Sequence, residues 1–223
     1  MEEIIKKCML LGEQKKAIVE GVLQGKERYK EVSTAIGKTI TNKSNPFLLY
    51  DLINDEVKKN IDENPGLNMI VDVKKAGHHP YIVCYDTVRN IFVLVLKLPP
   101  GKDIFKPSRY RGEFASSNVD YLMEMGLEEN DLPEDYEHQF SLDLGEGMQP
   151  FGIIVGYDAK KDDIYEGALR PDQQDWLYKE EINEFAQLNT ETIERLNPHS
   201  PNEIELSLKT DADEEIPLKL KKS

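Results

Sequence analysis

The sequence predicts an α+β fold: a helical N-terminal section followed by a mainly antiparallel sheet with inserted helices. Two observations carry this. Apolar residues recur at helical spacing through the first 64 residues. The spacing then changes to the every-second-residue pattern of strands, and the strands come in hairpins rather than in alternation with helices. The predicted sections are 1–64 (helical) and 65–223 (β-rich), or one continuous domain.

Ile4, Cys8, Leu11, Ile18 and Val22 lie near one helical face, interrupted at Gly12. "ERYKEVSTAIG" predicts a further short helix that stops at Gly37. In "NKSNPFLLYDLINDEVKKNIDENPG", Asn45 suits a cap and Pro46 the first helical position. Leu49, Ile53, Val57 and Ile61 then repeat every four residues, and Pro65-Gly66 ends the helix.

"LNMIVDVKK" sets Leu67, Met69, Val71 and Val73 on one side of a strand. "PYIVCYD" and "IFVLVLKL" follow, joined by a turn at "DTVRN". The second run is apolar on both faces, which predicts a central strand. "LPPGKDIFKPSRYRG" is a proline-bearing loop, and "SSNVDYLMEMG" reads as a short helix with Ser117 and Asp120 as a capping pair. "QFSLDLGEG" reads as a strand, and "FGIIVGYDAKKDDIYEGALR" as a hairpin with "AKKDD" at its tip. "RPDQQDWLYKEEINEF" has an early proline and early aspartates, so it predicts a helix; "TETIERLN" adds a helical turn and the tail two edge strands.

The net charge of -14 is unevenly spread. Residues 1–111 carry 19 Lys and Arg against 14 Asp and Glu, whereas 112–223 carry 9 against 28. Between Arg111 and Lys160 there is no Lys or Arg. An acidic surface of this kind keeps a protein soluble, and it also suits a basic protein partner or an imitation of nucleic acid. The expected contact residues are Glu128, Glu129, Asp131, Glu134, Asp135 and Glu137, with Tyr136 as an aromatic anchor among them.

Most catalytic chemistries find no motif. There is no nucleophile elbow, phosphate loop or dinucleotide fingerprint, and no metal-ligand spacing. His78 and His79 are adjacent, so on a strand they would face opposite sides and could not share an ion. Cys8 and Cys84 sit among apolar neighbours and read as buried thiols. No metal or cofactor is expected. No apolar run is long enough to span a membrane, and the opening residues lack the order of a signal peptide, so a cytoplasmic protein is expected.

Two other readings rest on local features. Asp86 opens a hairpin and Lys97 ends its second strand. This layout resembles that of restriction-endonuclease-like nucleases, in which an aspartate precedes a strand ending in Glu/Asp-x-Lys. The resemblance implies a divalent metal held by two acids, a lysine that helps activate water, and an acid from an upstream helix, here Glu13 or Glu20. Val95 stands where the second acid belongs, and a hydrocarbon cannot ligate a hard cation. The third reading is a DNA-binding regulator. "YKEVSTAIGKTITNKSN" resembles the turn of a helix-turn-helix, with Lys38 and Lys43 nearby. Lys102, Lys106, Arg109 and Arg111 form a second basic cluster.

By elimination the sequence favours a non-enzymatic acidic binding protein. Its Lys-, Ile-, Asn- and Glu-rich composition resembles that of accessory and inhibitor proteins of bacteria, prophages and mobile elements.

Overall fold

The computed structural model describes residues 2–37, 45–76, 79–99, 104–124 and 150–188. Its order is α1 (Glu2–Cys8), α2 (Gly12–Ile36), α3 (Asn45–Asp62), β1 (Met69–Ala76), β2 (His79–Asp86), β3 (Ile91–Lys97), α4 (Arg109–Glu124), β4 (Phe151–Tyr157), β5 (Ile164–Leu169) and β6 (Trp176–Glu181). The α+β class follows from this order.

The six strands lie side by side in sequence order. All neighbours are antiparallel except β3 and β4, which run parallel from Ile91↔Phe151 to Lys97↔Tyr157. A parallel pair needs a long crossover, and α4 lies within it. β3 and β4 are the central strands, as the two-faced apolar run "IFVLVLKL" predicts.

Strand alternation divides the apolar residues between the two faces. Ile91, Val93 and Val95 of β3 join Phe151, Ile153 and Val155 of β4 in one cluster with Ile18 and Val22 of α2 and Ile53 and Val57 of α3. Leu94 and Leu96 join Ile154, Phe105 and Ala115 of α4 on the other face. The helical section and the sheet therefore share a core.

The expected break is present but lies at residues 9–11, with Gly12 the first residue of α2, and Gly37 ends α2 at φ 73° with its N–H bonded to Ser33 O at 3.2 Å. The two expected N-terminal helices between these points are one. Gly21 and Gly25 do not break it. They sit where α3 crosses, and a Cβ on Gly25 would lie 2.5 Å from Ile53 Cα.

Two other expectations are corrected. Ser117 and Asp120 do not cap a helix, because α4 begins earlier, at Arg109. The segment from Arg170 is a turn and an edge strand, not a helix. Gln173 N–H returns to Arg170 O at 2.9 Å, and Gln173 takes φ 59°. Asp172 and Asp175 accept the backbone N–H groups of Gln174 and Trp176 at 2.8 Å each, a turn-forming habit that competes with helix. Trp176–Glu181 then pairs with β5, and only Asn183–Ala186 is helical, as a 3-10 turn.

The predicted strand "QFSLDLGEG", the helical turn "TETIERLN" and the paired strands of the tail lie outside the described residues. Among the described residues no helix is long and apolar enough to cross a membrane.

Candidate functional site

The densest polar chemistry among the described residues lies where α1 turns into α2. Leu11 has no side-chain oxygen to cap α2, so Gln14 folds back and its Oε1 accepts the Leu11 N–H at 3.1 Å. Gln14 and Lys15 are next to each other on the inner face of α2, and each reaches a different part of the sheet.

Gln14 meets the β2–β3 turn. Its Nε2 donates to Asp86 Oδ2 at 2.8 Å and to Leu67 O at 3.0 Å. Arg89 follows Asp86 by three residues and grips the same oxygen through Nε at 2.9 Å and a terminal nitrogen at 2.7 Å. Asp86 Oδ1 accepts the backbone N–H groups of Val88 and Arg89, both at 2.9 Å. Arg89 also donates to Met9 O at 2.7 Å and to Gln14 Oε1 at 2.6 Å. Burial opposes ionisation of Asp86, which is 1 % exposed. The Arg89 guanidinium, the Gln14 amide and the Arg89 N–H outweigh it and hold the carboxyl below the usual carboxylate range.

Lys15 meets β5 and β6. Its Nζ lies 3.3 Å from Glu166 Oε2 and 2.9 Å from Glu180 Oε2, and 5.0 Å from the Phe185 ring centre. Glu166 replaces an aliphatic residue on an otherwise apolar strand face and is fully buried. Its Oε1 accepts the Leu10 N–H at 2.8 Å and the Tyr178 hydroxyl at 2.9 Å. Burial pushes the Glu166 carboxyl up, against the Lys15 ammonium and these donors. Burial and the Glu166 charge push the Tyr178 hydroxyl up as well.

Chemically this arrangement is a clamp. Every Asp86 oxygen is occupied by protein donors, so the carboxylate has no free lone pair aimed at solvent. The structure does not bring Asp86 and Lys97 together. Asp86 faces Ile91 across the hairpin, and Lys97 lies six residues further along β3, about 20 Å away at strand rise. Val95 faces the helices and is fully buried. The helical group that reaches Asp86 is the Gln14 amide, whereas Glu13 and Glu20 are partly buried elsewhere on α2. Among the described residues no three His, Cys, Asp or Glu side chains stand together as metal ligands. Burial pushes the Cys8 and Cys84 thiols up to about 12, so neither suits nucleophilic attack.

The other expected site residues are only partly placed. Lys106 is exposed, and its carbonyl accepts from Arg111, whose guanidinium lies 5.0 Å from the Phe105 ring centre. Arg109 opens α4. Lys38, Lys43, Lys102 and all seven acidic-segment residues, Glu128, Glu129, Asp131, Glu134, Asp135, Tyr136 and Glu137, lie outside the described residues. The residues on either side of that segment are described. Tyr121, near the end of α4, sets its ring 5.6 Å from that of Phe151 at the start of β4. Its hydroxyl donates to Arg89 O at 3.1 Å, and Phe151 N–H donates to Asn90 O at 3.1 Å.

Sequence reasoning missed Gln14, Lys15, Arg89, Glu166 and Tyr178. The available signal was Glu166 itself, a carboxylate in phase with Ile164 and Ala168, because a charge on a core face requires a partner. Comparison with protein-family models, curated proteins and solved structures finds no match.

Proposed function

We propose that this chain is a non-enzymatic binding protein that docks its acidic segment, residues 125–149, on a basic protein surface, as an inhibitor or accessory factor would. The observation that carries this reading is the anchoring of the segment's flanks. Tyr121 and Phe151 are ring to ring and both are tied to the β2–β3 turn. The described residues that flank a stretch with eight Asp and Glu and no Lys or Arg thus meet at one place. Pinned ends limit the chain entropy that binding must remove.

Charge supports the same reading. Among the described ion pairs, only Lys15 and Lys26 of the basic half reach acids of the later half. The remaining described pairs lie within one half, as with Arg28 and Glu56, Arg89 and Asp86, or Arg170 and Asp175. Carboxylates that meet a groove built for phosphate speed association and set register.

The test compares the full chain with a variant carrying Glu128→Gln, Glu129→Gln, Asp131→Asn, Glu134→Gln, Asp135→Asn and Glu137→Gln. Both are used for affinity capture from the source cell at low salt. A basic protein retained by the first and not by the second, and released by salt or heparin, is expected. Equal capture by both chains, or capture that salt does not weaken, would refute the reading.

A further inference from the structure

We infer that β1 is a self-complementary edge, and that two copies of this chain pair through it, antiparallel, about a two-fold axis at Val73. β1 ends the sheet, and its inner side is fully paired with β2 from Met69↔Asp86 to Ala76↔His79. Among the described residues no strand pairs with its outer side. Only Met69 of this strand is buried; Ile70 is 55 % and Val73 56 % exposed. Unpaired edge groups of this length are a template for another strand.

The sequence of the edge selects the occupant and the register. In an antiparallel ladder, facing residues both turn their N–H and C=O toward the partner or both turn them away. A symmetric pair must therefore centre on a residue, not between two. Three centres use most of the strand. Centring on Asp72 sets it against Asp72 of the partner subunit, and centring on Lys74 sets it against Lys74 of the partner subunit. Both oppose like charges. Centring on Val73 sets Val73 against the partner's Val73, Ile70 against the partner's Ala76, and Asp72 against the partner's Lys74, twice.

Within one chain Lys74 Nζ already lies 2.5 Å from Asp72 Oδ2 on the same face. In the Val73-centred pair that bond is kept, and each carboxylate gains a second ammonium across the strand. Four charges then alternate in sign around a square, with like charges only on its diagonals. The pairing is isologous, so it consumes both β1 edges and closes as a dimer rather than a filament.

Sedimentation velocity on the full chain over a concentration series is the test. A reversible, concentration-dependent dimer is expected. Asp72→Lys and Lys74→Asp each oppose two like pairs and weaken it by about fivefold or more. An equimolar mixture of the two variants restores pairing as a heterodimer, and so does the double variant Asp72→Lys/Lys74→Asp in itself. Both positions are solvent-exposed, and thermal melts check that each variant folds. A monomer at the highest soluble concentration overturns the inference, as does a dimer that ignores the single substitutions. So does hydrogen exchange of the β1 amides that is protected equally at every concentration, which would mean that a segment of the same chain covers the edge.

Discussion

Gln14 and Asp86 are 72 residues apart and share a 2.8 Å hydrogen bond in the interior. The next residue of the helix, Lys15, reaches Glu166 and Glu180 on the opposite half of the sheet. Two consecutive side chains of α2 thus tie the β2–β3 turn and the β5–β6 hairpin to one helical end. The backbone between α1 and α2 is held in the same way, by Arg89 at Met9 O and by Glu166 at Leu10 N–H.

Arg89→Ala should be among the most destabilising single changes on this face. It removes the guanidinium from a buried carboxylate and leaves Met9 O and Gln14 Oε1 without that donor. Breaking a buried pair by deleting one member costs about 3–5 kcal/mol. Urea unfolding followed by circular dichroism measures it. A loss within about 0.5 kcal/mol, the range of an ordinary surface change, would mean that the clamp is not formed. Arg89→Lys should recover only part of the loss, since an ammonium lacks the planar fork that meets carboxylate, amide and carbonyl together.

The two buried carboxylates should pull stability in opposite directions with pH. Asp86 has a depressed folded pKa. Its contribution is complete above the unfolded value, about 3.9, and is lost as pH falls through the folded one. Glu166 has a raised folded pKa. Its folded form binds the proton more tightly, so its contribution is complete below the unfolded value, about 4.3, and is lost as pH rises through the folded one. Urea midpoints across an acid-to-neutral series should show Asp86→Asn flattening the acid-side fall. Glu166→Gln should flatten the fall on the rising side. Profiles parallel to that of the unaltered protein would contradict the assigned directions.

What the sequence discloses divides along contact range. The period change near Leu67, the central position of β3 and the stop at Gly37 depend on neighbours in the chain, and they can be read directly. Arg170–Asp175 misleads because proline and early aspartates serve a helix start and a tight turn alike, and the decision belongs to Tyr178 and Trp176 pairing with β5. The clamp is out of reach because the bonds that Gln14 and Lys15 make beyond their own helix span 53 to 165 residues. Asn118 shows the same limit. It is a mid-helix polar residue whose amide is buried between Gly152 and Leu169 backbone groups of two strands. The acidic excess is legible as composition, whereas the anchoring of its flanks depends on Tyr121 meeting Phe151.

Gly21 and Gly25 offer the sharpest conflict between local preference and packing. Local preference says that alanine should strengthen α2 at both positions, since glycine is about 1 kcal/mol worse than alanine in a helix interior. The seam says the reverse. A Cβ at Gly21 would stand 2.6 Å from Val57 Cα, and one at Gly25 2.5 Å from Ile53 Cα. These are backbone atoms of α3, so no side-chain rotation relieves the clash and the helices must separate. Separation loosens Ile53 and Val57 of α3 against Ile18 and Val22 of α2, all of them fully buried. Overpacking of this kind costs about 1–3 kcal/mol, which outweighs the gain in propensity. Each single variant should therefore lower the urea midpoint. The double variant should lower it by less than the two losses together, because the first alanine has already opened the gap that the second requires. A midpoint raised by either alanine would show that α2 and α3 do not approach this closely.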